Sequence, residues 1–186
     1  MTADIAADRQ RAYDVIREHS FILGEVTLAS GQKSDHYFDM KPTMLHPDGV
    51  RVLTNLILDR LKDIKVDCIG GIEMGAVPLV GPLVLVSAAQ GRPISGFFVR
   101  KNVKEHGTQK RVEGVADIAG KHIAIVEDVT TTGGSAMKSI EAVKADGAIV
   151  SMVISILDRE QGAVDLYKEA GLPFQSLFVA SDFLKR

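Results

Sequence analysis

Apolar residues follow two alternating patterns along the chain, one with the period of a helix and one of short continuous runs. The helical pattern predicts helices over residues 5–19, 48–64 (capped by Asp48), 77–90, 136–145 and 162–170. The continuous runs predict buried strands over residues 66–72, 94–99, 123–126, 150–157 and 176–180. Strands and helices therefore alternate, which indicates an α/β fold with a parallel sheet and helices on both of its faces.

Two segments depart from this alternation. Residues 25–40 contain serine and glycine and end in the strand-like sequence His36–Met40, which predicts a turn-rich hairpin. Residues 100–114 are charged and have no apolar period, so they are predicted to form a long loop or an extended hairpin. A chain of 186 residues favours a single domain.

The residues with the most distinctive chemistry directly follow four of the predicted strands. They are Glu73, Arg100 with Lys101, Glu127 with Asp128, and Asp158 with Arg159. In a parallel α/β sheet, ligands bind outside the carboxyl ends of the strands. The sequence therefore predicts a site at that edge of the sheet.

Composition narrows the class of protein. Hydrophobic residues make up 46% of the chain and charged residues 25%, which is ordinary for a globular protein. The net charge of −2 gives no global basic field for nucleic acid, and no apolar run is long enough for a transmembrane helix. The single cysteine, Cys68, excludes an internal disulfide framework and is expected to be a buried thiol. Residues 1–11 lack the apolar segment of a signal peptide, so we expect a cytoplasmic protein.

The segment from Ile123 to Ser135 carries the most chemical information. Its apolar run ends in two acids, Glu127 and Asp128, and a loop of threonine and glycine then leads into the helix predicted at Ala136. The N–H groups of such a loop and the helix dipole favour an anion, while the carboxylates can accept hydrogen bonds from sugar hydroxyls. A ribose 5-phosphate satisfies this layout. The alternative is an acidic turn that only complements the helix dipole.

The sequence Val126–Gly133 resembles the phosphoribosyl pyrophosphate (PRPP) motif of type I phosphoribosyltransferases. By this resemblance, Glu127 and Asp128 bind the ribose 2′- and 3′-hydroxyls. Because the anomeric carbon gains positive charge as its leaving group departs, Asp128 is also the candidate for electrostatic support of the ribosyl centre. The remaining PRPP-binding residues, most of which wrap the 5′-phosphate, are Val129, Thr130, Thr131, Thr132, Gly133, Gly134 and Ser135. Many members have aspartate at the first acid, where this chain has the longer Glu127.

A basic segment, Arg100 to Gly107, stands out in a chain that is acidic overall. A solvated charged loop is the ordinary interpretation of such a run, but cations also stabilise a leaving pyrophosphate. The segment resembles the mobile catalytic loop of orotate phosphoribosyltransferases through four residues, Arg100, Lys101, Lys104 and His106. The resemblance implies that all four bind PRPP and that the last three act on the leaving pyrophosphate. It also implies a homodimer in which this loop closes over the neighbouring subunit's active site.

The sequence Ile156 to Glu160 places Arg159 at a strand end, where a guanidinium can bind a carboxylate through two hydrogen bonds. Orotate carries such a carboxylate, and the purine bases do not. The resemblance assigns orotate contacts to Arg159 and to Thr131. The alternative for Arg159 is a surface ion pair with Asp158 or Glu160.

Residues 27–38 resemble the N-terminal hood of the same family, whose backbone at an aromatic pair covers the base. Many members have a lysine where this chain has Ala29, so that contact is absent or supplied elsewhere, with Lys33 and Lys41 as candidates. The loop Glu73–Ala76 resembles the pyrophosphate loop but lacks the lysine that is common there.

Together the resemblances imply one phosphoribosyltransferase domain over residues 1–186. Its core spans about residues 48–160, and its hood comes mainly from about residues 20–45 with a C-terminal contribution. The implied reaction transfers the 5-phosphoribosyl group from PRPP to orotate in pyrimidine biosynthesis, with Mg2+ on the substrate oxygens rather than in a protein cage. Two alternatives stay open at this point: a phosphoribosyltransferase for a purine base, and a non-catalytic protein that senses PRPP.

Overall fold

The centre of the molecule is a six-stranded sheet in which five strands run parallel. The computed structural model describes residues 4–27, 33–101, 111–115 and 117–184. Its helices are α1 (Ile5–His19), α2 (Lys41–Leu45), α3 (Pro47–Arg60), α4 (Val77–Ala89), α5 (Gly134–Ala145), α6 (Ala163–Glu169) and α7 (Ala180–Leu184). Its strands are β1 (Phe21–Thr27), β2 (Lys33–Phe38), β3 (Cys68–Ile72), β4 (Ser95–Val99), β5 (Val112–Gly114), β6 (His122–Thr130), β7 (Ile149–Asp158) and β8 (Phe174–Val179).

The strand order in the large sheet is β5-β4-β3-β6-β7-β8. Strands β4, β3, β6, β7 and β8 are parallel, and only the edge strand β5 runs antiparallel, against β4. The pairing of β5 with β4 supports the extended hairpin rather than the plain loop predicted for residues 100–114.

Helices cover both faces of this sheet because apolar side chains point alternately to each side of its strands. Along β6, Ile123 and Ile125 enter a core with α5 and α6, while Ala124 and Val126 enter a second core with α3 and α4. The predicted α/β fold with a parallel sheet between two helical layers is therefore confirmed. No helix in the described ranges is both long and apolar enough to cross a membrane.

The hairpin of β1 and β2 forms a separate two-stranded sheet. Contacts between aromatic rings hold this hairpin against both ends of the chain. The ring centroids of Phe21 and Phe38, one on each strand, lie 5.0 Å apart, and those of Phe38 and Phe183 on α7 lie 5.5 Å apart. Tyr13 of α1 stacks on Phe183 at 4.7 Å. The N-terminal hairpin and the C-terminal helix thus form one aromatic cluster, which we call the hood.

Several sequence predictions about element ends are wrong. The helix predicted over residues 48–64 ends at Arg60. The strand predicted over residues 123–126 continues to Thr130, because β6 stays paired with β7 up to the pair Thr130 and Asp158. The cap of α3 is His46, whose Nδ1 accepts the Gly49 N–H at 3.4 Å, and not Asp48. Asp48 lies in the first turn and is bonded to arginines instead.

Candidate functional site

The carboxyl ends of β4, β3, β6 and β7 lie side by side at one edge of the sheet. Strands β3 and β6 are neighbours at the centre of the sheet. From β3 the chain continues to β4 on one side, and from β6 it continues to β7 on the other side, so the order of the strands reverses between β3 and β6. Such a switch point opens a crevice where ligands bind in α/β sheets. All four groups of residues that the sequence placed at strand ends therefore meet at this edge.

The ends of β4 and β3 are tied together by Glu73. Its backbone N–H donates to the Val99 carbonyl at 2.9 Å, and its carboxylate accepts the Lys101 backbone N–H at 3.0 Å. The Lys101 side chain is exposed. Arg100 bonds Glu113 of β5 at 3.4 Å and is about one third exposed. Both basic residues thus stand at the open edge, as the sequence predicted.

The loop after β3 touches the second acid of β6. A Cβ added to Gly75 would lie 2.5 Å from Oδ1 of Asp128, closer than atoms normally approach. Only glycine leaves room for this carboxylate at its present position. The half-buried Asp128 therefore lies in the crevice between the β3 loop and the β6 end.

Thr130 joins the end of β6 to the end of β7. Its carbonyl accepts the Arg159 backbone N–H at 2.8 Å, which fixes Arg159 beside the loop after β6. Within the described ranges, the Arg159 Nε is buried without a hydrogen-bond partner, and Arg159 forms no ion pair. The Glu160 carboxylate is instead bonded to the N–H and hydroxyl of Ser181, at 2.9 and 3.2 Å. The surface ion pair considered for Arg159 is therefore not formed there.

The loop after β6 presents an open helix N-terminus. Gly133 caps α5 in the left-handed conformation, at φ 83°, and no side chain caps the helix. The first helical hydrogen bond runs from the Met137 N–H to the Gly133 carbonyl at 3.1 Å, so the N–H groups before Met137 have no partner within the helix. Thr132, Gly134 and Ser135 are exposed around them. This arrangement suits a phosphate.

The first acid of the pair is buried beneath this loop. Glu127 is 5% exposed, and its Oε2 accepts the Thr130 hydroxyl at 2.8 Å. Burial raises the pKa of Glu127 to about 7, and the Asp128 carboxylate acts in the same direction, while the bond from Thr130 opposes both. The two acids therefore differ, since Asp128 is half-buried at the crevice and Glu127 is buried in the core beside the Thr130 hydroxyl.

Of the two candidate lysines, Lys41 at the start of α2 approaches the site, rather than Lys33 of the hood. The Lys33 ammonium is bonded to Glu25 at 2.7 Å, and both side chains are 72% exposed. The Lys41 ammonium is bonded to Asp39 at 2.6 Å and also interacts electrostatically with Asp128. Of the two lysines considered as substitutes at the hood, Lys41 is the one that interacts with Asp128.

Several predicted residues lie outside the described residues. They are Ala29, Lys104 and His106. Their roles stay predictions from the sequence.

Two contacts at the site were not predicted from the sequence. Gly75 is needed for the approach of Asp128, and Tyr167 of α6 is fully buried with its hydroxyl 3.4 Å from the Gly133 carbonyl. Tyr167 lies in the apolar pattern of a predicted helix, and nothing in that pattern distinguishes a polar contact from ordinary core packing.

Comparison with known proteins adds independent information. The family model Phosphoribosyl transferase domain matches residues 44–172. An orotate phosphoribosyltransferase from Bradyrhizobium diazoefficiens is 55% identical over 183 residues, which cover 97% of this chain and 98% of that protein. The crystal structure of Mycobacterium tuberculosis H37Rv orotate phosphoribosyltransferase with Fe(III) dicitrate has a TM-score of 0.84 and 34% identity, covering 95% of this chain and 98% of that chain. The structure of the same enzyme with PRPP has a TM-score of 0.80 and 30% identity, covering 96% and 99% of the two chains.

Proposed function

The chain belongs to the orotate phosphoribosyltransferase family, and from this premise we propose how its residues transfer the 5-phosphoribosyl group of PRPP to orotate. The products are orotidine 5′-monophosphate and pyrophosphate, and the reaction belongs to pyrimidine biosynthesis. One observation carries the assignment of the site. The open N-terminus of α5, which suits a phosphate, and Arg159, which suits a carboxylate, are held at adjacent strand ends by the 2.8 Å bond to Thr130.

In this proposal the loop from Thr130 to Ser135 holds the 5′-phosphate, and Arg159 with Thr131 holds orotate. A ring nitrogen of orotate forms a bond to the anomeric carbon while the bond from that carbon to pyrophosphate breaks. The electron pair of the broken bond leaves with pyrophosphate, and the nitrogen's proton is released. The anomeric carbon gains positive charge on the way, which the carboxylate of Asp128 stabilises.

The basic segment acts on the leaving group. Arg100 holds phosphate oxygens, and the cations of Lys101, Lys104 and His106 offset the charge that develops on pyrophosphate. In this proposal no covalent enzyme intermediate is formed. The protein lowers the barrier mainly by positioning the substrates and by stabilising the charges that develop.

We propose that Mg2+ is the cofactor and reaches the site on substrate oxygens. Mg2+ prefers phosphate oxygens and retained waters to a cage of protein ligands. The carboxylate of Asp128, half-buried at the crevice, is a hard oxygen donor that fits this ion. When bound, the ion supplies charge neutralisation on the pyrophosphate.

We also propose a homodimer with shared sites, working in the cytoplasm. Helix α4 has no charged residue, and although Leu79 and Leu83 are buried, Leu85 on its outer side is 71% exposed. Helix α2 packs against α4, and its Leu45 is 72% exposed, while Met74, three residues before α4, is 63% exposed. A second copy of the chain would remove this apolar surface from water.

The activity is tested by following orotate absorbance with PRPP and Mg2+ present. We expect a loss of absorbance that depends on PRPP, and much slower phosphoribosylation when adenine, hypoxanthine or uracil replaces orotate, because these bases have no carboxylate for Arg159. Consumption of a purine base instead would support the purine alternative. PRPP binding without consumption of any base would support a PRPP-sensing protein.

A Gly75→Ala substitution is expected to lower kcat about 10-fold or more while the protein stays folded. The added Cβ would lie 2.5 Å from Oδ1 of Asp128, and the carboxylate can turn away at little cost to the core. The unfolding temperature should therefore stay near that of the wild type. Steady-state kinetics of Gly75→Ala, Asp128→Asn and the double variant test this coupling.

If the substitution acts through Asp128, adding Gly75→Ala to Asp128→Asn should change kcat little further. A full 10-fold loss in both backgrounds would show that Gly75 acts on something other than Asp128.

A further inference from the structure

Tyr167 lies beneath the phosphate-binding loop and is the largest side chain there without contact to solvent. It is 0% exposed, on α6, and its hydroxyl donates to the carbonyl of Gly133 at 3.4 Å. The ring also fills the space behind Gly133, since a Cβ added there would lie 3.0 Å from the Tyr167 oxygen. The loop glycine thus rests directly on this phenol.

The bonded carbonyl controls where the next N–H points. The Gly133 carbonyl and the Gly134 N–H belong to one planar trans peptide, in which the two groups point in opposite directions. The carbonyl is held from below by Tyr167, in addition to the Met137 N–H that it accepts at 3.1 Å. The Gly134 N–H is therefore directed away from the core, toward the exposed side of the loop.

The surroundings keep the phenol in its donor form. Burial raises the pKa of the Tyr167 hydroxyl and the carboxylate of Glu127 acts in the same direction, while a hydrogen bond with the Thr130 side chain opposes both. The Glu127 carboxylate itself accepts a hydrogen bond from the Thr130 hydroxyl at 2.8 Å. A protonated phenol can donate to the Gly133 carbonyl, whereas a phenolate would repel it.

We propose that Tyr167 is a positioning residue for the phosphate of PRPP, acting through the Gly133–Gly134 peptide. This inference rests on the proposed function of the loop, and it adds a residue of α6 to the machinery of the site. Tyr167 does not touch the substrate. It fixes the orientation of a loop N–H that does.

The chain offers a matched pair of variants for the test. Tyr167→Phe removes only the hydroxyl and keeps the ring in place. Tyr13→Phe removes another hydroxyl that donates to a backbone carbonyl, that of Asp182 at 3.5 Å, in the hood. Calorimetry then measures the Kd of ribose 5-phosphate and of PRPP for both variants, well below their unfolding temperatures, beside kcat and the KM for orotate.

We expect Tyr167→Phe to raise both Kd values by about 3- to 10-fold, the effect of one hydrogen bond, and to leave the KM for orotate unchanged. Tyr13→Phe should bind both ligands like the wild type. Wild-type Kd values in a Tyr167→Phe protein with a lowered unfolding temperature would show a purely structural role and overturn the proposal. If the wild type binds ribose 5-phosphate without consuming orotate, the proposed function fails, and weaker binding by Tyr167→Phe would still support the positioning role.

Discussion

Lys101→Ala and Lys104→Ala variants are expected to turn over about 100- to 1000-fold more slowly than the wild type, with nearly unchanged affinity for orotate. The two ammonium groups belong to the basic segment that follows β4, and their proposed role is to stabilise charge that appears on pyrophosphate only as it leaves. An interaction made only in the transition state changes kcat and leaves ground-state binding of the base intact. Steady-state kinetics with orotate and PRPP measure both quantities.

Mixing subunits tests whether the segment serves the neighbouring site. In a hybrid of a Lys104→Ala subunit with an Asp128→Asn subunit, one site combines the intact Asp128 of the first chain with the intact Lys104 of the second. The other site carries both substitutions. Since random exchange makes half of the dimers hybrids, the mixture should regain about a quarter of wild-type activity.

A lysine far from the crevice supplies the control. Lys62 is exposed and, among the contacts described for it, pairs only with Asp59 in the last turn of α3, at 3.2 Å. Lys62→Ala should therefore turn over like the wild type. Wild-type rates for Lys101→Ala and Lys104→Ala would exclude the proposed action on pyrophosphate. Slow variants that regain nothing on mixing would exclude the shared site and keep the catalytic role.

The sequence predicted the layers of the fold because buried parallel strands appear as continuous apolar runs. Helix α1 was predicted with its observed ends, Ile5–His19. The helices α2 and α7 were not predicted, since five residues make too few turns for a period to appear. The end of β6 was misplaced because the polar residues after Val126 interrupt the apolar run, although pairing with β7 keeps them in the strand.

The site was predictable to the extent that topology determines it. Residues that follow parallel strands must share one edge, so Glu127, Asp128 and Arg159 could be brought together without coordinates. The packing of loops and helices against that edge has no signature in residue spacing. The close approach of Gly75 to Asp128 and the bond from Tyr167 to the Gly133 loop therefore emerged only from the structure.

An Arg159→Ala variant is expected to raise the KM for orotate about 100-fold and to leave the KM for PRPP close to the wild-type value. The backbone of Arg159 is held beside the phosphate loop by its 2.8 Å bond to Thr130, and that bond survives the substitution. Since the described residues give the guanidinium no ion pair, its charge is available for a ligand. A bidentate, charge-assisted contact with a carboxylate accounts for a loss of this size.

Arg159→Lys separates charge from geometry, because an ammonium keeps the charge but cannot bind both carboxylate oxygens in the same plane. It should recover only part of the affinity for orotate. Uracil, which lacks the carboxylate, should be used equally poorly by the wild type and by Arg159→Ala. Equal rates with uracil would show that the substitution removes the preference for orotate and leaves the rest of the site intact. If Arg159→Ala instead weakened PRPP and orotate alike, Arg159 would be a structural support of the β7 end and the carboxylate would be recognised elsewhere.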